Sequence, residues 1–390
     1  MKRISFNNDW HFTRLAGGQT ERVDLPHDAT ISEPRDPAIR IGYLCAFYHG
    51  GKYEYRKSFT LPQAWAGKAV YLEFEGIYCR SEVFVNGSRI SSLTNGYIGV
   101  SERIDHLLHA GENEVRVTVD TPYNDHSRWY QGSGIYRDVW LYVGEKEHIP
   151  PHALKVKTLS HAPAVIEANC RAEGELSYTV FDGATPVAQG KVSSARIEIP
   201  RAKLWSDETP HLYTLKAELY SGGVKRDEAE VKFGIRTLSW SAEEGFLVNG
   251  KRTLLRGGCI HCDNGVLGCV TTRQTELRRA QKIKQAGFNA IRSAHHPMSP
   301  ALLEACDEAG LFVMDEAFDM WYRMKTRNDF SSAFYEEFPL ILREMAAKDY
   351  NHPCVVLYSI GNGIPQIGSK KGIRFARPMI GILKAGPGTP

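Results

Sequence analysis

Apolar and polar residues alternate in short runs through the first third of the chain. "YEYRKSFTL" (53–61), "AVYLEFEG" (69–76), "SEVFVNG" (81–87), "NEVRVTVD" (113–120) and "RDVWLYVG" (137–144) are rich in β-branched and aromatic residues and are bounded by turn formers, the pattern of strands with one buried face. Asn86-Gly87 is the dipeptide of a tight hairpin, because both residues tolerate positive φ. Asn86-Gly87-Ser88 also fits a glycosylation sequon, but without a secretory leader the turn is the better reading. Residues 1–147 therefore predict an all-β sandwich or jelly roll. The double proline of "HIPPHA" (148–153) marks a linker. Further strand-like runs follow, from "LKVKTLS" through "ELSYTVFD" to "EAEVKFGIR", and residues 148–240 predict a small immunoglobulin-like β-sandwich.

After about residue 240 strands alternate with helices. "TLLRGGCI" (253–260), "FNAIRSA" (288–294), "LFVMDEAF" (311–318) and "CVVLYSIGN" (354–362) read as buried strands. Between them, "TTRQTELRRAQKIKQAG" (271–287), "SPALLEACDEAG" (299–310) and "SAFYEEFPLILREMAAKDY" (332–350) have helical spacing. A Thr cap opens the first, and Ser299, Pro300 and Gly310 punctuate the second. "KKGIRFARPMIGILKAG" is a candidate fourth helix, which Pro378 is expected to kink or break. Repeated βα units imply a parallel sheet. Reactive residue types gather where the strands end: His261 and Asp263, then His295 and His296, then Asp315, Glu316 and Asp319, then Asn362. Convergence of four strands on one rim is the site pattern of a (β/α)8 barrel. No glycine-rich phosphate loop opens the first helix, which argues against a dinucleotide fold. Residues 241–390 thus predict the N-terminal half of a (β/α)8 TIM barrel. A closed barrel takes about 250 residues, so the outer strands of this half are expected to be open edges that favour association, homo-oligomers included.

Composition narrows the class. With 42% apolar and 24% charged residues the 390-residue chain has the make-up of soluble multidomain proteins. A formal charge of +3 gives no footprint for nucleic acid, and no run reaches the roughly 18 apolar residues of a membrane span. "MKRISFNNDW" has no apolar h-region after its basic residues, so a cytoplasmic location is expected. Eight scattered cysteines suit reduced thiols. Cys259-x-x-Cys262 lacks the second pair of a zinc site and reads as ordinary strand and loop cysteines.

The order of several motifs is more specific than any of them alone. "VDLPHDA" (23–29), "YEYRKSF", "LEFEG", "VFVNG" and "SRWYQGSGIYRDVWL" (127–141) come first, followed by "LWSDETPHLYTL" (204–215) and "FGIRT" (233–237). "FLVNGKRTLLRGGCIHCDNGVLG", "GFNAIRSAHHP", "VMDEAFDMW" and "DYNHPCVVLYSIGN" complete the series. This succession resembles the bacterial β-galactosidases and β-glucuronidases of glycoside hydrolase family 2 over nearly the whole chain. The resemblance implies a small-molecule β-glycoside or oligosaccharide as ligand and no organic cofactor. Some relatives use Mg²⁺ or Na⁺, but no complete ion site is visible here.

In that family the residue after "SIGN" is the acid/base glutamate, and here it is Gly363. The family's nucleophile lies on a later barrel strand, beyond Pro390. A retaining glycosidase needs two carboxyl groups roughly 5–5.5 Å apart, one to protonate the leaving oxygen and one to attack the anomeric carbon. The chain as written is therefore expected to be inactive, with general acid catalysis alone typically supplying about 10²–10⁴-fold. By the same resemblance the 1–147 jelly roll is sugar-binding-like, Asn362, His295 and Asp263 face the sugar, His261 either faces it or is structural, and Arg128 and Trp129 reach the barrel mouth from the jelly roll. Glu316 is taken with these, with orientation of its neighbours as its usual duty, and Trp321 is either an aromatic platform for a sugar face or core packing. Two rivals stand beside a hydrolase scaffold. One is a non-catalytic carbohydrate-binding or assembly protein; the other is a metal-dependent hydrolase using His261, Asp263 and His295 as a scattered ligand set.

Overall fold

The computed structural model describes residues 1–39, 42–122, 127–192 and 194–385. Alternation along Glu112–Thr121 buries every second side chain, Val115, Val117 and Val119 among them, and the neighbouring strands do the same. The result is two antiparallel sheets face to face. One runs in the order Thr20–Val23, Trp10–Arg14, Gly51–Thr60, Glu112–Thr121, Ser81–Val85, Ser88–Leu93, and the other Lys2–Ser5, Val139–Gly144, Ala69–Phe74, Val100–Arg103. Trp10, Phe12, Tyr55 and Phe74 fill the space between them. The predicted hairpin is present, with Asn86 and Gly87 both at positive φ between paired Val85 and Ser88.

The second β region is a sandwich of a three-stranded sheet (Leu154–His161, Ala164–Cys170, Ser194–Glu198) on a four-stranded one (Thr185–Lys191, Glu175–Asp182, Tyr213–Ser221, Val224–Phe233). It is stitched to the barrel foot. Asn351 exchanges hydrogen bonds with the Val156 N–H and the Leu154 carbonyl, at 2.9 Å each, and the Arg236 guanidinium donates to the Pro353 and Val355 carbonyls.

The barrel portion has four parallel strands in sequential order: β1 (Gly257–Ile260), β2 (Ala290–Ser293), β3 (Phe312–Glu316) and β4 (Val355–Ser359). Its helices are α1 (Arg273–Gln285), α2 (Pro300–Ala309), α3 (Phe334–Asp349) and α4 (Lys370–Lys384). The Thr272 hydroxyl caps α1, Ser299 caps α2, and Gly310 ends α2 in the left-handed region, all as the sequence predicts. The expected break at Pro378 does not occur, for α4 runs unbroken through it. The missing N–H leaves the Arg374 carbonyl without its usual helical partner, but Phe375, Met379 and Leu383 pack on Trp321, Phe334 and Leu342 and hold the helix in register. Residues 386–390 of that tail lie outside the described residues. β1 and β4 are the outer strands of the sheet, and β1 is exposed over Gly257, Gly258 and Cys259, whereas β3 is nearly all buried.

The jelly roll rests on the barrel rim through polar contacts at buried positions. Arg137, 1% exposed, donates to the carbonyls of Tyr97 and Pro297 at 2.9 and 3.2 Å. Glu337 of α3 accepts the N–H groups of Thr94 and Asn95.

Candidate functional site

Parallel strands bring their C-terminal ends to one side, so residues far apart in sequence meet there. At the end of β3, Glu316 is fully buried. One of its oxygens accepts Arg292 Nε (3.2 Å), Arg292 Nη2 (2.7 Å) and Ser359 Oγ (2.5 Å), and the other accepts His295 Nδ1–H (2.6 Å). Arg292 Nη2 also donates to Asn362 Oδ1 at 3.0 Å, and Asn362 Nδ2 donates to Asp319 Oδ1 at 2.9 Å. Asp319 in turn is gripped by Arg128 through Nε (2.9 Å) and Nη2 (2.5 Å), and by Lys325 Nζ (3.1 Å). One continuous network thus runs from β2 through β3 and β4 to the jelly-roll loop. A forked guanidinium on a carboxylate fixes direction as well as distance, so Asn362 and His295 are held in one orientation each.

The predicted residues fall into distinct places. His295, Asn362 and Arg128 join the network. His261 lies beside it, its Nδ1–H on the Ala294 carbonyl and its ring stacked on Trp129 at 4.8 Å and 6° between planes. Trp129 also meets the edge of His295 at 5.5 Å. Asp263 is exposed next to His261, its backbone carbonyl bound by Arg279. Gly363 sits at the rim with φ +49, and among the described residues, its chain neighbours apart, the only heavy atom within 4 Å of where a Cβ would stand is Lys325 Nζ, at 3.6 Å.

Glu316 and Trp321 each fall on one side of their two readings, away from sugar contact. Glu316 has no open face, since burial and four hydrogen bonds take both oxygens, so it positions Arg292 and His295 rather than touching a ligand. Trp321 is no platform: it is 2% exposed, its indole N–H donates to the Ile360 carbonyl at 2.7 Å, and its ring lies against Phe375. Arg292, Ser359 and Lys325 are additions that the sequence reading misses. Arg292 carries a signal nonetheless, because a charged residue inside a parallel strand, where both faces are ordinarily covered by apolar side chains, requires a partner.

Electrostatics fix the protonation of several groups. Burial pushes the Asp319 carboxyl up, but hydrogen bonds from Arg128 and Asn362 and the charge of Lys325 outweigh it and hold the pKa below the ordinary value. Burial lowers His261, against the backbone bond to Ala294. It lowers His296 much further, so that ring is neutral. Beside the rim a narrow cleft of about 50 Å³ lies between jelly roll and barrel, with Tyr97, Trp129, His295, His296 and Asp319 in its wall.

His261, Asp263 and His295 do not form a converging ligand set. Among the described residues the one such group is Asp307, His352 and Cys354 at the barrel foot. There His352 Nδ1–H donates to Asp307 at 2.6 Å, the Cys354 N–H donates to Asp307 at 2.9 Å, and the thiol faces the Leu303 carbonyl. Those bonds account for the grouping without an ion.

The architecture and the rim define a protein with two β-sandwich domains carrying a partial TIM barrel whose polar groups converge at the strand ends. Residues 23–150 match the model described as glycosyl hydrolase 2 galactose-binding domain-like, 152–236 that of glycosyl hydrolases family 2, and 242–379 the TIM barrel domain of that family. The chain belongs to glycosyl hydrolase family 2. It is similar to the β-galactosidase BoGH2A of Bacteroides ovatus (34% identity, 93% of this chain, 46% of that protein). It is similar also to a putative β-glucuronidase of Formosa agariphila (32% identity, 92% of this chain, 37% of that protein). A solved family 2 glycosyl hydrolase from Bacteroides cellulosilyticus superposes with a TM-score of 0.91 at 31% identity, over 99% of this chain and 55% of that one. The chain thus spans less than half the length of either curated relative.

Proposed function

We propose that these residues bind a β-glycoside of the galactoside or glucuronide class at the barrel rim and do not hydrolyse it by themselves. The relatives support the ligand class, being β-galactosidases and β-glucuronidases. One observation carries the inactivity: the position that in the family holds the acid/base glutamate is Gly363, and the group nearest to it across the rim is an ammonium rather than a carboxyl. The carboxylates beside it are no substitutes. Glu316 is enclosed, and Asp319, held below its ordinary pKa, is a poor proton donor at neutral pH. The groups that remain, Asn362, His295, Asp263 and Arg128, are hydrogen-bonding types that hold hydroxyls. All eight cysteines are free thiols, which suits a reducing compartment, and the cytoplasm is the setting we propose. No helix among the described residues is long and apolar enough to cross a membrane.

Incubation with nitrophenyl β-galactoside, β-glucuronide and β-mannoside is expected to release no nitrophenol, while calorimetric titration with galactose and glucuronate shows saturable binding to at least one. Release of nitrophenol above the rate in buffer would refute the inactivity, and no heat from either sugar would refute the binding.

A further inference from the structure

Asp28 lies in the jelly-roll loop "PHDA" and hydrogen-bonds none of the rim residues, yet it is buried, 1% exposed, and accepts five hydrogen bonds. Its Oδ1 takes the N–H and hydroxyl of Thr30 and the N–H of Ser133 at 3.0, 2.8 and 3.2 Å. Its Oδ2 takes the Cys269 N–H at 2.9 Å and the Tyr130 hydroxyl at 2.5 Å. Beyond its own turn at Thr30, these donors belong to two separate loops. Tyr130 and Ser133 bracket the turn that follows Arg128 and Trp129, and Cys269 closes the loop that leaves β1 through His261 and Asp263. Both loops approach so closely that glycine is needed at each: a Cβ on Gly132 would stand 2.6 Å from Asp28 Oδ2, and one on Gly268 would strike the same oxygen.

We propose that Asp28 is a positioning residue of the sugar site, which sets the Arg128–Trp129 loop against the barrel rim by clamping both loops on one carboxylate. Oδ2 takes one donor from each loop, Tyr130 and Cys269, and Oδ1 adds Ser133, so neither loop can shift without giving up a hydrogen bond to the carboxylate. On the ligand side of the clamp the consequences are the Trp129–His261 stack and the Arg128 fork on Asp319. Sites of this kind lose function when supporting groups relax by a fraction of an ångström. The affinity part of the inference rests on the rim being a glycoside site; the loop-placement part does not.

The test is Asp28→Asn, whose amide keeps one acceptor oxygen and turns N–H groups toward the donors that bind the other oxygen in the wild type. The ring signal of His261 in the proton NMR spectrum, displaced upfield by the stacked indole, is expected to return toward the ordinary histidine position. Affinity for the sugar that the wild-type chain binds is expected to fall by about tenfold, the scale of one hydrogen bond to a charged group. Val117→Ala, a cavity in the jelly-roll core, should lower the melting temperature and leave both readouts alone. Tyr130→Phe removes one donor and should give a smaller shift in the same direction, which carries the test if Asp28→Asn does not fold. An unmoved His261 signal in the folded variants, or an equal shift in Val117→Ala, overturns the inference. If the wild-type chain binds no glycoside, the proposed function fails while the His261 signal still decides whether the clamp places Trp129.

Discussion

At Gly363 a single residue type decides what the rim can do, and the surroundings decide whether it can be restored. The backbone there is left-handed, a conformation that costs a residue with a Cβ about 1–2 kcal/mol. Gly363→Glu is therefore expected to lower the urea midpoint slightly. It also brings the new carboxyl near the Lys325 ammonium, which favours the ionised form. The introduced side chain would then be a poor acid at neutral pH, and the variant is expected to leave nitrophenyl glycosides intact. Adding Lys325→Met should raise the pKa of the introduced carboxyl, read by carboxyl NMR, without producing turnover, and hydrolysis by either variant would contradict the reading of the site. How far the site is legible in advance follows the same physics. His261, His295 and Asn362 stand out because polar residues close apolar strands, a feature of local sequence. The enclosure of Glu316 and Trp321 depends on Arg292, Ser359 and Phe375 arriving from elsewhere in the chain, and no local pattern states that.

At the scale of elements the same division holds. Strands with clean alternation and helices with caps are legible to within a few residues, whereas Lys2–Ser5 and Thr20–Val23, short and largely polar edge strands, carry no such signal. At Pro378 local propensity predicts a break, and packing along α4 overrides it. Since an interior proline costs about 3 kcal/mol relative to alanine, Pro378→Ala is expected to raise stability in urea by up to about that amount, and a decrease would mean that the ring itself supports the contact. Another prediction concerns the jelly roll, where Glu75 follows the strand Ala69–Phe74 and is buried with its Oε1 on Trp140 Nε1 and Arg3. Burial first, then the charges of Asp138 and Glu73, push its pKa up to about 7, against the Trp140 bond and Arg3. A carboxyl whose folded pKa lies above its unfolded value of about 4.3 binds more protons in the native state. Its favourable contribution is complete below the unfolded pKa and is lost as the pH rises through the folded one. Stability should fall by a few kcal/mol between about pH 4.3 and pH 7 on account of this group. Glu75→Gln is expected to flatten that part of the pH profile in chemical denaturation, and an unchanged slope would show that the native carboxyl is already ionised.

At the largest scale, the parallel sheet of the described residues has two outer strands, β1 and β4. Parallel sheets are ordinarily covered on both faces and along their length, and a free edge presents unpaired N–H and carbonyl groups to any strand that approaches. β1 has this character from Gly257 to Cys259, flanked by the exposed Leu254 and Leu255. Pairing of β1 with an edge of a second molecule removes polar and apolar surface from water together, so association should rise with concentration. Cys259 reports on it directly. It is exposed while the other seven cysteines are buried, and for Cys262, Cys269, Cys306 and Cys354 burial raises the thiol pKa as well, so one thiol should react rapidly with an aromatic disulfide reagent in the native state and all eight after denaturation. If the open edge is where copies meet, the rapid phase slows as the protein is concentrated from about 1 μM toward about 1 mM, the range in which exposed edges and apolar surface drive association, and Cys259→Lys, which puts a charge on the edge, keeps the chain monomeric in sedimentation. A rapid phase that is independent of concentration, with a single monomeric boundary throughout, would mean that hydration alone satisfies β1.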